Sequence, residues 1–279
     1  MKYKMFVTDY DNTLLRTDHT ILPETWAAVK EFERQGGKFV IATGRMLSTI
    51  LKTVEPYGLS GEIIAFQGGV IADVNTGEVF MKKYVNESDG IELLEDLQAA
   101  GYYIQVYNGG DYFVNRYTKR TEYYERVNGL DAVVIGEDVV GYVKKNGLKL
   151  DKIVFGLDDD GLIERYEDIE PTINEYVKKY EGRLTFNSSN TLLIEAISVG
   201  NDKGAAVAFV AEKYGIAREE VICIGDALND APMVKWAGKG FAVANATFDL
   251  KAVADEITVS CDEDAVGTVI RQYCLTDKD

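Results

Sequence analysis

Short apolar runs punctuate this chain, and longer segments of helical period separate them. Met5-Phe6-Val7 is the first run. Lys38-Phe39-Val40-Ile41-Ala42, Gly61 to Ala65 and Val221-Ile222-Cys223-Ile224 repeat the pattern. Runs of this length read as buried strands. Between the first two, Pro23 suits a first helical turn, and Trp26, Val29 and Phe32 share one face. Gly36-Gly37 marks the stop. After the second, Leu47, Ile50, Leu51 and Val54 fall on a helix. Strand–helix–strand–helix–strand predicts an α/β fold with a doubly wound parallel sheet. Later, Leu192 to Ile197 reads as a strand resuming the parallel pattern. Lys203 to Tyr214 is apolar nearly all round, which predicts a buried helix ended by Gly215. Gly240 to Ala244 and Glu256 to Val259 fit the last strands, and the final seven residues are expected to fray.

The middle of the chain has a different character. Tyr84 to Tyr180 holds 12 of the 17 tyrosines, while both tryptophans and all three cysteines lie outside it. Tyr102 to Tyr107 and Tyr112 to Asn115 form a hairpin pattern over Asn108-Gly109-Gly110. A helix is predicted over Lys119 to Val127 and strands over Ala132 to Ile135 and Ile153 to Leu157. Ile163 to Tyr180 reads as largely helical. The expected organisation is a core of residues 1–82 and 188–279, with an α+β module, residues 83–187, inserted into it.

The strand ends carry the candidate chemistry. The first strand runs directly into Asp9-Tyr10-Asp11-Asn12-Thr13. Two carboxylates that close raise each other's pKa unless a cation sits between them. The second ends in Thr43-Gly44-Arg45, and Val221 to Ile224 ends in Gly225-Asp226-Ala227-Leu228-Asn229-Asp230. Lys203 opens a helix. In a parallel sheet all strand C-termini share one edge, so these groups can converge there. Together they offer a hard-cation site of the kind Mg²⁺ takes, with donors for phosphate oxygens at Thr43 and Lys203. Taken singly, each piece has a plainer reading: a capped helix start at Thr43-Gly44-Arg45, a solvated first turn at Lys203, or an acid after a strand. The ordered set of four is the informative feature.

Composition narrows the classes. The net charge of -16, from 30 basic and 46 acidic residues, disfavours nucleic acid and anionic membrane surfaces as partners. An anionic ligand would need a cation in its site. Asp9 interrupts the only N-terminal apolar run, so no signal peptide is expected, and no apolar stretch is long enough to span a bilayer. Cys223, Cys261 and Cys274, an odd number without CxxC spacing, suit a reducing cytoplasm. The single His19, in a polar loop, excludes any site needing two imidazoles and is expected to be a surface residue. Neither GxGxxG nor a Walker A pattern occurs, and Asp9-Tyr10-Asp11 does not continue into an EF-hand.

In these motifs the chain resembles the haloacid dehalogenase (HAD) superfamily, specifically its Cof-type branch (subclass IIB) of phosphatases with a large α/β cap. The resemblance runs nearly end to end. It rests on Asp9-Tyr10-Asp11-Asn12-Thr13-Leu14, Ala42-Thr43-Gly44-Arg45, Asp202-Lys203-Gly204 and Gly225-Asp226-Ala227-Leu228-Asn229-Asp230-Ala231-Pro232-Met233. Ala244-Asn245-Ala246 and Ala254-Asp255 add to it. Two positions depart from the branch: Asn12 stands where Gly is usual, and Gln67-Gly68 where Asn-Gly is usual. Asn tolerates positive φ better than most residues, so the first loop is expected to form regardless.

The resemblance implies a Rossmann-like core and a Mg²⁺-dependent phosphomonoester hydrolase acting on small phosphorylated metabolites such as sugar phosphates. Asp9 would be the nucleophile, forming an aspartyl-phosphate, and Asp11 the acid/base. The metal ligands would be Asp9, Asp226 and the backbone carbonyl of Asp11. Thr43, Gly44, Lys203 and Asn229 would contact the phosphoryl group, and Asp230 would orient Lys203 or the metal's water. The inserted module would act as a lid. A phosphomutase using the same intermediate and a non-catalytic sugar-phosphate sensor are the rivals. Monomer and homodimer both stay open.

Overall fold

The first apolar run forms β1 (Met5–Thr8), and α1 (Pro23–Arg34), β2 (Lys38–Ala42), α2 (Leu47–Val54) and β3 (Glu62–Ala65) follow it. The computed structural model describes residues 1–156, 166–188 and 193–275. β1, β2 and β3 pair in parallel, as their buried apolar sequences predict. Two short strands, β4 (Val70–Asp73) and β5 (Val79–Lys82), then extend the sheet antiparallel through a turn capped by Asp73. The apolar pattern had not separated this edge hairpin from the loop around it.

The chain divides into two compact units, one of Met1–Lys82 with Asp202–Asp279 and the other of Lys83–Asn201. The second contains α3 (Glu87–Ala99), β6 (Tyr103–Asn108), β7 (Asp111–Val114), α4 (Lys119–Asn128), β8 (Val133–Val134), α5 (Val139–Asn146), β9 (Lys152–Gly156), α6 (Tyr166–Lys179), β10 (Leu184–Ser188) and β11 (Leu193–Ser198). Its sheet runs β10-β11-β9-β6-β7-β8, antiparallel except for β7 and β8. One face of that sheet (Ile104, Val106, Ile153, Phe155, Ile194) packs with Leu93, Leu94 and Leu97 of α3, Val139 of α5 and Tyr180 just after α6 into a single core. The alternate residues of β6 are buried too. The Tyr103 hydroxyl meets Thr121 Oγ1 at 2.9 Å, Gln105 Nε2 donates to Tyr103, and Tyr107 donates to Gln105 Oε1 at 2.6 Å. Tyr103, Tyr107, Tyr112, Tyr176 and Tyr180 are therefore packing and buried hydrogen bonding, while Tyr84, Tyr117 and Tyr123 are exposed.

The first unit resumes with α7 (Lys203–Lys213), β12 (Val221–Gly225), α8 (Ala231–Trp236), β13 (Lys239–Ala242), α9 (Phe248–Lys251), β14 (Glu256–Ile257) and α10 (Ala265–Val269). The complete core sheet runs β14-β13-β12-β1-β2-β3-β4-β5. Successive strands move outward from β1 in one direction, and β12 to β14 move outward in the other. The order thus reverses between β1 and β12, where open α/β sheets bind ligands.

Three expectations need correction. Residues 193–198 do not resume the parallel sheet: β11 lies antiparallel between β10 and β9 in the second unit, and Leu192 is outside the described residues. α7 is not buried all round, because Ala205, Phe209 and Glu212 form an exposed stripe, with Phe209 at 38%. The tail is ordered further than expected: a helical turn over Ile270–Cys274 buries Cys274. Residues 276–279 and the predicted helical start at 163–165 lie outside the described residues, as does Leu157. His19 is exposed, as expected.

Candidate active site

β1 and β12 are in register, with Thr8 beside Ile224, and the Asp9 N–H continues the ladder to the Ile224 carbonyl at 2.9 Å. This puts Asp9 and Asp226 at the ends of adjacent strands. The wide turn after β1, closed by Leu15 N–H on the Tyr10 carbonyl, requires Asn12 at φ 56°. Asparagine adopts that left-handed conformation as expected, and Asn245 Nδ2 donates to its carbonyl at 2.9 Å.

Lys203 is the first residue of α7, whose N-terminus Asp202 caps by accepting from Ala205 N–H at 2.8 Å. A side chain at Gly204 would place its Cβ 2.6 Å from the Pro232 carbonyl, so glycine is what lets the start of α7 approach the start of α8. The Lys203 ammonium is fully buried. It lies 2.5 Å from Asp9 Oδ1 and 2.6 Å from Asp230 Oδ1. Asp230 Oδ2 accepts the backbone N–H of Asp226 (2.9 Å) and Ala227 (3.1 Å), which fixes the loop after β12. Thr13 Oγ1 reaches Asp226 Oδ1 at 3.4 Å.

Asp9, Asp226 and Asp230 each offer one carboxylate oxygen, and these oxygens lie within 4.8 Å of one another. All three residues are buried. Burial pushes the Asp9 carboxyl well above its usual range, opposed by Lys203 and reinforced by Asp230 and Asp226. Asp226 is pushed up to about 7, by burial first and then by Asp230. Burial works against the Lys203 ammonium, but Asp230 and Asp9 outweigh it and hold its pKa above the ordinary lysine value. Lys203 therefore keeps its proton, and three buried carboxyl groups crowd around that one positive charge. A hard divalent cation fits this donor set, because it would relieve the repulsion that one ammonium leaves uncompensated.

Asp11 stands apart from the trio. Its carboxylate takes both prongs of Arg45, Nε to Oδ2 at 2.8 Å and Nη2 to Oδ1 at 2.6 Å, while the guanidinium lies 5.0 Å from the centre of the Tyr10 ring. The Asp11 side chain remains 44% exposed. Thr43 is buried, with its N–H on the Ile64 carbonyl and its Oγ1 accepting from Arg45 N–H at 3.1 Å. Asn229 Nδ2 donates to Gln67 Oε1 at 3.1 Å. Arg45 and Gln67 are the residues that sequence reasoning left without roles. Arg45 was visible inside Thr43-Gly44-Arg45, and Gln67 only as a departure from a pattern.

A family model described as haloacid dehalogenase-like hydrolase matches residues 6–270. The 5-amino-6-(5-phospho-D-ribitylamino)uracil phosphatase of Bacillus subtilis is 31% identical over 274 residues, 98% of this chain and 96% of that protein. A solved haloacid dehalogenase-like hydrolase from Bacteroides thetaiotaomicron matches at TM-score 0.82 and 25% identity, over 97% of this chain and 99% of that one. The structure of a HAD subclass IIB sugar phosphatase matches at TM-score 0.80 over 98% and 100% of the two chains, and its 19% identity speaks for the fold alone. The fold and the similarities together make this an enzyme of the phosphatase class. The chain belongs to the haloacid dehalogenase-like hydrolase family, in its Cof-type branch. None of its described helices is long and apolar enough to cross a membrane.

Proposed function

We propose that the protein is a Mg²⁺-dependent phosphomonoester hydrolase of small phosphorylated metabolites, working through an aspartyl-phosphate on Asp9. The observation that carries this reading is the buried Lys203 ammonium held between Asp9 and Asp230, with an Asp226 oxygen in the same cluster. An Asp9 oxygen attacks phosphorus as the ester P–O bond breaks, and Asp11 gives its proton to the departing oxygen. Asp11 then takes a proton from water, whose oxygen attacks the phosphorus of the aspartyl-phosphate. Inorganic phosphate leaves and Asp9 is restored. Asp9, Asp226 and the Asp11 backbone carbonyl would hold Mg²⁺, which supplies positive charge opposite the phosphoryl oxygens. Lys203, Thr43, the Gly44 backbone and Asn229 donate to the phosphoryl group, and Asp230 holds Lys203 in place.

The substrate class follows from two considerations. The net charge of -16 disfavours a polyanionic polymer, so the phosphate belongs to a small molecule. The related Bacillus subtilis phosphatase is named for a ribityl phosphate, which supports a hydroxylated phosphomonoester here. Three buried free thiols suit the reducing cytoplasm. The test is a panel of phosphate esters incubated with and without Mg²⁺. Metal-dependent release of inorganic phosphate, lost in a folded Asp9→Asn protein, is expected. Phosphate moved to a second hydroxyl without release would make the enzyme a mutase, and full turnover by Asp9→Asn would remove Asp9 as nucleophile.

A further inference from the structure

Two consecutive residues after β3, Phe66 and Gln67, are left-handed, at φ 50° and 57°. Neither is glycine, and such a pair is strained. Backbone hydrogen bonds hold it: Phe66 N–H donates to the Arg45 carbonyl, Gln67 N–H to the Thr43 carbonyl and Gly69 N–H to the Phe66 carbonyl, each at 3.0 Å. The strained turn is thereby stitched to the loop after β2. It aims the buried Gln67 side chain at two neighbours. A Cβ on Gly44 would lie 2.5 Å from Gln67 Nε2, so the amide occupies the space that glycine leaves. Gln67 Oε1 accepts from Asn229 Nδ2 at 3.1 Å, and Asn229 Oδ1 is buried without a partner among the described residues.

We propose that Gln67 is a positioning residue for substrate binding. It fixes the rotation of the Asn229 carboxamide and joins the loops after β2, β3 and β12 into one rigid rim. The inference rests on the phosphatase reading above, because it assigns Asn229 a polar contact with the substrate. Backbone strain at functional sites persists where the surroundings over-determine it, and here the strained turn delivers one side chain to two phosphate-site loops. Asn229 without its tether would sample other rotamers, and each substrate binding event would have to order it again.

The experiment is a double-mutant cycle on the Mg²⁺-loaded enzyme, using the best ester of the panel. Gln67→Met keeps the length of the side chain and removes the acceptor. Each of Gln67→Met and Asn229→Ala is expected to raise KM by roughly 3- to 10-fold, the range of one neutral hydrogen bond, with kcat changed less. The double variant is expected to be no worse than Asn229→Ala alone. Gln67→Leu serves as a second acceptor-free variant should Gln67→Met not fold. An unchanged KM in the folded variant, or effects that multiply in the double variant, would overturn the assignment of Gln67 while leaving the phosphatase reading intact. Absence of Mg²⁺-dependent phosphate release by the wild-type protein would instead defeat the reading beneath it.

Discussion

Arg45 holds Asp11 by a two-pronged ion pair, 2.8 and 2.6 Å, across 34 residues of sequence. Bidentate pairing of this kind fixes orientation as well as charge. If Asp11 is the acid that protonates the leaving oxygen, its loss should matter most where that oxygen is a poor leaving group. Asp11→Asn is expected to lower kcat by about 10²- to 10⁴-fold on an alkyl phosphate and by much less on p-nitrophenyl phosphate. Arg45→Ala should show the same dependence on leaving group at roughly a 10-fold loss, because the acid remains but is no longer oriented. Equal losses on both substrates would assign Asp11 a role other than proton transfer.

Lys203 is the most demanding position in the core. Its charge is fully buried, so replacing it strands Asp9 and Asp230 together without a counter-ion. Breaking such a pair by removing one partner costs about 3–5 kcal/mol. Lys203→Met should therefore lower the melting temperature of the metal-free protein and reduce kcat on the order of 10³-fold. If Lys203 donates to the phosphoryl group as proposed, Mg²⁺ should recover much of the stability and little of the rate, because a dication in the cluster offsets the repulsion but cannot stand in for that donor. Thermal melts with Mg²⁺ and with chelator, beside initial rates, separate the two effects.

The Asp226 carboxyl, pushed up to about 7 in the folded chain, has an unfolded value of about 3.9. Its folded pKa lies above the unfolded one, so the native state binds the extra proton. The destabilising contribution is absent below about pH 4 and grows until pH passes about 7. In chelator, wild-type protein should lose melting temperature across that window more steeply than Asp226→Asn does. With saturating Mg²⁺ the wild-type slope should flatten, whereas Asp226→Asn should gain little from the metal. Matching slopes for the two proteins in chelator would show that Asp226 is not the group responsible.

What the sequence made legible, and what it did not, divides along the range of the interactions involved. The meeting of Asp9 and Asp226 was legible because each follows a buried strand, and parallel strands share an edge. That Lys203 joins them was legible only from its place in the chain order, which matched a known set. β11 misled because Leu193-Ile194-Glu195-Ala196-Ile197 is buried on both faces, and an apolar run carries no mark of its partner's direction. α7 misled because Phe209 is apolar yet exposed, an allowed exception to a one-way rule. Arg45 on Asp11 and Gln67 on Asn229 were invisible, since each partner pair spans loops that only the folded sheet brings together. The strain at Phe66 and Gln67 has no local signature, because neither residue type favours positive φ.

Asn12 offers the sharpest check on how the loop after β1 is built. It lies between Asp11 and Thr13 at φ 56° and ψ 14°, in a turn whose geometry sets where Asp9 and Asp11 point. Its carbonyl receives Asn245 Nδ2 at 2.9 Å, an interaction that depends on the backbone and not on the Asn12 side chain. Asn12→Gly should therefore preserve activity and shift stability by only a few tenths of a kcal/mol, since glycine adopts the conformation freely but has more freedom to lose. Asn12→Val is β-branched and should cost about 1–2 kcal/mol or more in the same backbone conformation. The protein can escape that cost by letting the turn relax, which would move both aspartates. The expected outcome is thus a lower melting temperature together with a fall in kcat of at least about 10-fold, the size expected when a reacting group is displaced. A Val variant that loses stability but keeps full kcat would mean that the turn holds its shape without help from residue 12, and that its geometry is dictated by β1 and the Asn245 contact alone.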